Sequence, residues 1–334
     1  MISFGPLNPA TELDGLLRAS AEHFGAEGYQ YLPRYIEWLY RANPAASGPS
    51  DCIVARQNGV VVGCMHRMRL PLTASGEAHR FAILHNHFVA EEMRSGPGVL
   101  LLRRAVKDLD MGLAPGVQAP LDQVYRRLGF LEQPGFWLMR TLNPVRAALQ
   151  LARTRVSRPT PLRIDVGALQ QRLRELTVTA EPSSEELAQL CRTMGSEQRG
   201  DPDAAAVDWT PELVRWRYFH PLGPRHLFVG RRDAAAAAVI SLGKRRGMAV
   251  ARLMQFAPGE YPGFAEDVIR VMRAAGAAKG LVFSTDSAMV DLLTARGWRL
   301  RDNGTFSFRT AGPALAIGAA ATDVGFEAFA TEWS

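Results

Sequence analysis

The feature that most constrains this chain is that its layout comes twice. The first pass opens with Trp38-Leu39-Tyr40-Arg41-Ala42-Asn43-Pro44, continues through a strand pair from Cys52 to Leu70, and reaches Tyr125-Arg126-Arg127-Leu128-Gly129-Phe130. The second opens with Trp216-Arg217-Tyr218-Phe219-His220-Pro221, continues through a strand pair from His226 to Gly243, and reaches Leu293-Thr294-Ala295-Arg296-Gly297-Trp298. Matched landmarks keep similar separations: 178 residues from Trp38 to Trp216, 175 from Val54 to Val229, and 168 from Gly129 to Gly297. A chain of 334 residues has room for two domains of about 150 residues each. A tandem duplication is therefore expected, with units at 1–158 and 159–334 meeting in the linker Arg158-Pro159-Thr160-Pro161-Leu162.

A hydrophobic fraction of 47% supports two packed cores and excludes a disordered chain. Cys52, Cys64 and Cys191 are widely spaced, which predicts neither a disulfide framework nor a zinc site; no metal is expected. That usage suits a reducing, cytoplasmic setting. Met1 to Leu17 has no basic, apolar leader pattern, and no run approaches the ~18 apolar residues of a membrane span. The net charge of +6 and pI near 9.5 suit nucleic acid, an anionic membrane or a polyanionic cofactor. No nucleic-acid-binding motif accompanies the charge, so nucleic acid is set aside.

Local patterns predict α/β units of the α+β kind, each a mixed, mostly antiparallel sheet flanked by helices. Asn58-Gly59 between Cys52–Arg56 and Val60–Met65 is a hairpin signal. His79–Val89 reads as a strand, Val99–Asp108 as a helix, Leu121–Leu128 as a short helix and Phe136–Met139 as a strand closing the first unit. Asn143–Arg158 begins with a cap and a proline and carries Val145, Leu149, Ala152 and Val156 on one side, with Arg146, Arg153 and Arg155 on the other. Such a helix either packs between domains or lies on an anionic membrane surface.

The segment from His85 to Leu102 bears the chemistry. A strand ends at Val89, Glu91 and Glu92 follow, and Met93-Arg94-Ser95-Gly96-Pro97-Gly98-Val99 opens a helix. A glycine-rich turn at a helix start exposes N–H groups at the positive end of the helix dipole, which is an anion site. This turn, together with Tyr125-to-Phe130, resembles the GNAT superfamily of acyl-CoA-dependent N-acyltransferases over roughly 30–140. A degenerate echo lies at roughly 185–305. Met93 departs from the Gln or Arg that begins the family's loop.

The resemblance implies acyl-CoA as co-substrate. Backbone groups of Phe88 and Val89 would pair with its pantetheine arm. Arg94 and the N–H groups of Ser95, Gly96, Gly98 and Val99 would hold its pyrophosphate. Tyr125 would protonate the departing thiolate. The amine acceptor must lose a proton, and His85, His87, Glu91 and Glu92 are candidate bases. With a period of two, His85 and His87 are expected on one face of their strand and Asn86 on the other. In the second half Leu293 replaces the tyrosine and Ala257-Pro258-Gly259-Glu260-Tyr261-Pro262-Gly263 replaces the glycine turn, so that half is not expected to bind CoA. It would shape the acceptor site, with Arg215, Arg217 and His220 as candidate lining.

No motif names the acceptor. A lipid amine, such as a sphingoid base converted to a ceramide, fits the basic helix and would place the chain in lipid metabolism at the inner face of a membrane. The alternatives are acetylation of a small-molecule or sugar amine, or a catalytically inactive ligand-binding module.

Overall fold

The computed structural model describes residues 1–25, 31–74, 76–93, 96–114, 119–133, 136–154, 164–198, 206–222, 225–245, 248–259, 261, 263–284, 287–305 and 308–311. The first half runs β1 (Ile2–Pro6), α1 (Pro9–Phe24), α2 (Pro33–Ile36), β2 (Cys52–Gln57), β3 (Val60–Ala74), β4 (Glu77–Val89), α3 (Pro97–Val106), β5 (Met111–Ala114), α4 (Ala119–Arg127), β6 (Leu131–Gln133), β7 (Phe136–Thr141) and α5 (Pro144–Thr154). The second runs α6 (Val166–Arg172), β8 (Leu176–Thr179), α7 (Ser184–Gln198), β9 (Ala206–Val207), α8 (Pro211–Phe219), β10 (His226–Arg231), β11 (Ala237–Arg245), β12 (Met248–Ala257), α9 (Phe264–Ala274), β13 (Lys279–Ser284), α10 (Ser287–Thr294), β14 (Arg299–Thr305) and β15 (Phe308–Ala311).

Two mixed sheets result. The first has the order β1-β2-β3-β4-β5-β15-β6, with β9 added against β3, and the second has the order β8-β10-β11-β12-β13-β7-β14. Each contains one parallel pair among the described residues, β4 with β5 and β12 with β13. The two orders match strand for strand. The next-to-last place in each sheet is filled by a strand from the other half of the chain: β15 lies between β5 and β6, and β7 between β13 and β14. The expected role of Phe136–Met139 as a closing strand of the first unit is thus corrected. Its residues pair with β13 and β14 of the second sheet, a long-range partner that no local pattern encodes.

Helix α2 continues into a π-helical turn, Glu37–Arg41, that buries Trp38, Leu39 and Tyr40. Trp38 and Trp216 meet there. Their rings stack with centroids 5.0 Å apart. Each indole N–H donates to the other's backbone carbonyl, Trp38 to Trp216 at 3.0 Å and Trp216 to Trp38 at 2.7 Å. A single apolar core joins α1, α2 and β2–β4 to α7, α8 and β10–β12 around this pair. A second core lies under α9 and a third under α3 and α4.

The run Ala234–Ala238 favours a helix by propensity. Ala236, Ala237 and Ala238 are instead fully buried, the last two inside β11, where small side chains let α7 and α9 approach the sheet. Helix α5 is capped as expected, the Asn143 carboxamide accepting from Arg146 N–H. Its residues Val145 and Leu149 are 68% and 54% exposed. Residues 155 and 156 of the expected helix, and the linker at 158–162, lie outside the described residues.

Candidate functional site

Strands β4 and β5 pair at Phe81, Ala82 and Ile83, opposite Met111, Gly112 and Leu113, and then part. The edge of β4 from His85 to Val89 therefore has no strand beside it on that side among the described residues. On its other side β4 pairs with β3, but the register slips between Cys64 and His66, so β4 carries one extra residue there. Asn86 sits in this bulge at φ 51°. A bulge re-aims the side chains around it. Gly63, opposite Val89, makes the close approach possible: a Cβ there would lie 2.6 Å from the Phe88 carbonyl oxygen.

The bulge overturns the expectation that His85 and His87 share a face. His85 lies toward α2. Its Nδ1 is 3.1 Å from the Tyr35 hydroxyl, which also accepts from the Asn86 carboxamide at 3.0 Å. His87 lies on the opposite side, where its Nε2 donates to the Gly98 carbonyl in the first turn of α3 at 3.1 Å. Burial holds both imidazoles below their usual range. For His85 the neighbouring His66 and Arg217 add to the effect, and His87 is brought to about 4. Both are neutral at pH 7.

The glycine turn is present at the start of α3. Gly96 caps the helix and Pro97 occupies its first turn, with the Val99 N–H donating to the Gly96 carbonyl at 3.0 Å. A Cβ on Gly96 would meet nothing within 4 Å, so the turn has open space beside it. Arg94 and Ser95 fall outside the described residues. Glu91 and Glu92 are exposed on the short turn after β4. Phe88 is buried and stacks on His23 at 4.7 Å. Val89 is buried against α3. The far end of α3 is tied to β3 by Arg67, which reaches Asp108 at 2.6 Å and the buried Asp51 at 3.3 Å.

Tyr125, on α4, is buried beside Leu101 and Leu102 and meets Phe130 edge to face at 5.1 Å. Burial alone raises its phenol, which stays protonated. Helix α4 ends with Gly129 at φ 86°, after which the Phe130 N–H returns to the Tyr125 carbonyl.

Of the second-half candidates, Arg217 is fully buried, its guanidinium 5.6 Å from the Trp38 ring centroid, a cation–π arrangement. Arg215 is exposed and His220 half-buried. Sequence reading missed Tyr35 and His66. Nothing local marks them, because their neighbours come from other strands.

It also missed that two cysteines converge. Cys52 faces His66 directly across β2 and β3, and Cys64 lies two residues from His66 along β3. The wide spacing that argued against any cysteine cluster does not hold in three dimensions. Sγ of Cys52, Sγ of Cys64 and a ring nitrogen of His66 lie within 4.8 Å of one another, all fully buried.

No protein-family model matches the chain, and no curated protein does. Solved structures match along nearly its whole length. A GCN5-related N-acetyltransferase from Anabaena variabilis is similar at a TM-score of 0.61 with 11% identity, over 93% of this chain and 72% of that one. The N-myristoyltransferase of Saccharomyces cerevisiae, solved with myristoyl-CoA, is similar at 0.60 with 12% identity, over 93% and 84%. A GCN5-related N-acetyltransferase from Kribbella flavida is similar at 0.59 with 14% identity, over 92% and 70%. The chain has a GNAT-like fold. Within it, β4 parts from β5 and carries its bulge next to the glycine turn of α3, and Tyr125 lies in the buried cluster under α3 and α4. No helix among the described residues is long and apolar enough to cross a membrane.

Proposed function

We propose that this chain is an N-acyltransferase that moves an acyl group from acyl-CoA to a primary amine in the first-half cleft. The observation that carries the reading is the unpaired edge of β4 ending beside the open glycine turn of α3, with Tyr125 close by in sequence order and core. The pantetheine amides would bond the backbone of Phe88 and Val89, and the pyrophosphate would meet Arg94, Ser95, Gly96, Gly98 and Val99 at the helix start. The amine lone pair attacks the thioester carbonyl, the C–S bond breaks as the new C–N bond forms, and the nitrogen loses its extra proton to a base. Tyr125 donates to the emerging thiolate. His87 is engaged by Gly98 and supports the glycine turn, whereas His85 lies on the α2 side, where the acceptor would enter. His85 is accordingly the preferred base, ahead of Glu91 and Glu92.

We read the architecture as a tandem duplication, with units 1–158 and 159–334 exchanging one strand each. Support comes from the matching strand orders, from the reciprocal Trp38–Trp216 bonds, and from a bulge in β12 opposite Val239 and Ile240 that mirrors the one in β4. For the acceptor we favour a long-chain lipid amine such as a sphingoid base. The exposed Val145 and Leu149, flanked by Arg146, suit contact with the anionic inner face of a membrane from the cytoplasm.

The deciding experiment is calorimetric titration with acetyl-CoA, palmitoyl-CoA and free CoA. One acyl-CoA per chain, lost in Gly98→Trp, supports the reading, and the ratio of the two affinities sets the acyl length. Absence of binding by all three overturns it in favour of an inactive module. Tighter binding of acetyl-CoA would move the acceptor toward a small-molecule or sugar amine.

A further inference from the structure

The reaction above uses neither Cys52 nor Cys64 nor His66, yet the three are packed together in the core shared by the two halves. A purely apolar core would fill these positions with aliphatic side chains, since a buried polar atom without a partner costs free energy. The imidazole is only half satisfied. Nδ1 of His66 lies 2.6 Å from the Tyr40 hydroxyl, while Nε2 is buried with no hydrogen-bond partner among the described residues. The two sulfurs are not joined to each other. All three side chains are fully buried, and their donor atoms lie within 4.8 Å of one another.

The geometry points to a buried metal site in which Cys52 Sγ, Cys64 Sγ and a ring nitrogen of His66 bind a divalent ion of zinc-like chemistry. Two sulfurs and an imidazole are the mixed soft donor set that Zn²⁺ takes. On binding, both thiols release their protons to solvent, and two S–metal bonds and one N–metal bond form. Two thiolates then cancel the charge of the ion and the imidazole stays neutral. The occupied site carries no net charge into the core, which removes the main obstacle to burying an ion. The donors sit on adjacent, paired strands, so the ligand geometry is held by the β2–β3 ladder. With Nε2 as the ligand, Tyr40 on Nδ1 supplies the outer hydrogen bond that metal-binding histidines usually have. The ion would brace this hairpin against the π-helical turn and fix the His66 ring, which stacks on His85 at 5.6 Å.

The test uses the full chain, purified without chelator and dialysed into metal-free buffer. The expected result is zinc near one equivalent per chain by elemental mass spectrometry, and, after exchange with Co²⁺ alone, a thiolate-to-cobalt charge-transfer band. Cys64→Ser and His66→Gln should lose or shift that band, and Cys191→Ser, on α7, should leave it unchanged. A wild-type chain that takes up neither Zn²⁺ nor Co²⁺ overturns the proposal whether or not the variants fold. A cobalt spectrum that is the same in folded Cys64→Ser and in the wild type overturns it as well.

Discussion

In the first half β4 parts from β5 beside a glycine-rich helix start; in the second β12 parts from β13 ahead of a helix, α9, with two acids in its first turn. The scaffolds agree closely. Gly112 packs on Phe130, and Gly280 on Trp298. Gly129 and Gly297 both end their helices at positive φ, 86° and 80°, and both are followed by an N–H returning five residues, to Tyr125 and to Leu293. The contents differ. Where β4 carries His85, Asn86 and His87, β12 carries no histidine, and its Gln255 donates to the Tyr218 hydroxyl inside the core at 2.7 Å. An added Cβ meets nothing at Gly96, the cap of α3, but at Gly263, the cap of α9, it would lie 2.9 Å from the Tyr261 hydroxyl oxygen. The first turn of α9 holds Glu266 and Asp267, whereas that of α3 holds no acid. One helix start is open and has no acid in its first turn; the other is crowded by Tyr261 and has two, Glu266 paired with Arg296 and Asp267 with Arg231 and Arg270. Fold and chemistry are thus separable here: both halves have the bulge and the splay, and the residues beside them differ.

The largest effect should come from the residue that the second half lacks. Tyr125→Phe should lower turnover by about 100-fold or more, the range of a lost general acid, with acyl-CoA affinity within about twofold of the wild type. Thiol release measured against time, beside calorimetry, separates the two quantities. Unchanged turnover would make the halves chemically equivalent. The joint between the halves should be symmetric where the clefts are not. Trp38→Ala and Trp216→Ala should each cost about 3–5 kcal/mol in denaturant melts, because each removes a fully buried indole and orphans a carbonyl. The double variant should cost less than the two together, since the rings stack on each other and exchange hydrogen bonds.

The repeated layout was legible in the sequence because Trp38, Trp216, Gly129 and Gly297 have unusual requirements, a buried indole or a left-handed turn, that few other residues meet. The glycine turn and the tyrosine were legible for the same reason. The strand exchange was not, because β7 and β15 have ordinary strand patterns and only their partners are unusual. The faces of His85 and His87 were misread because a bulge adds one residue to a period of two, and only the β3 register reveals it. The cysteine cluster escaped notice because Cys52 and His66 are neighbours across a ladder, not along the chain.

The imidazoles should also make the first sheet more acid-sensitive than the second. A buried His87 near 4 against an ordinary value of 6.5 means that the unfolded chain binds protons more readily than the folded one. Its contribution is complete above about pH 6.5 and is lost as pH falls toward 4, up to ~3 kcal/mol at the acid end. His85 is shifted in the same direction and adds to the loss. Protection factors for amide exchange in β3 and β4 should therefore fall between pH 6.5 and 4.5 more than those in β11 and β12. His87→Gln, which does not titrate and can still donate to the Gly98 carbonyl, should flatten that difference. An equal fall in both sheets would mean that His87 charges freely in the folded state.

The smallest effect tests why only one helix start would take a phosphate. Asp267 is the fourth residue of α9, and Leu100 is the fourth residue of α3. Leu100 is 50% exposed, so a charged side chain there disturbs little packing. Leu100→Glu therefore gives the first cleft the acid that the second already has. A carboxylate in that turn would compete for the same N–H groups and helix dipole as the pyrophosphate. An effect of 1–2 kcal/mol at such a site corresponds to acyl-CoA binding weakened by about 10-fold. Leu100→Gln, equal in size and uncharged, should bind nearly as the wild type does. The gap between the two variants should shrink as salt is raised. If Glu and Gln behave alike, the dipole of α3 does not face the phosphates, and the acids of α9 are not what separates the two halves.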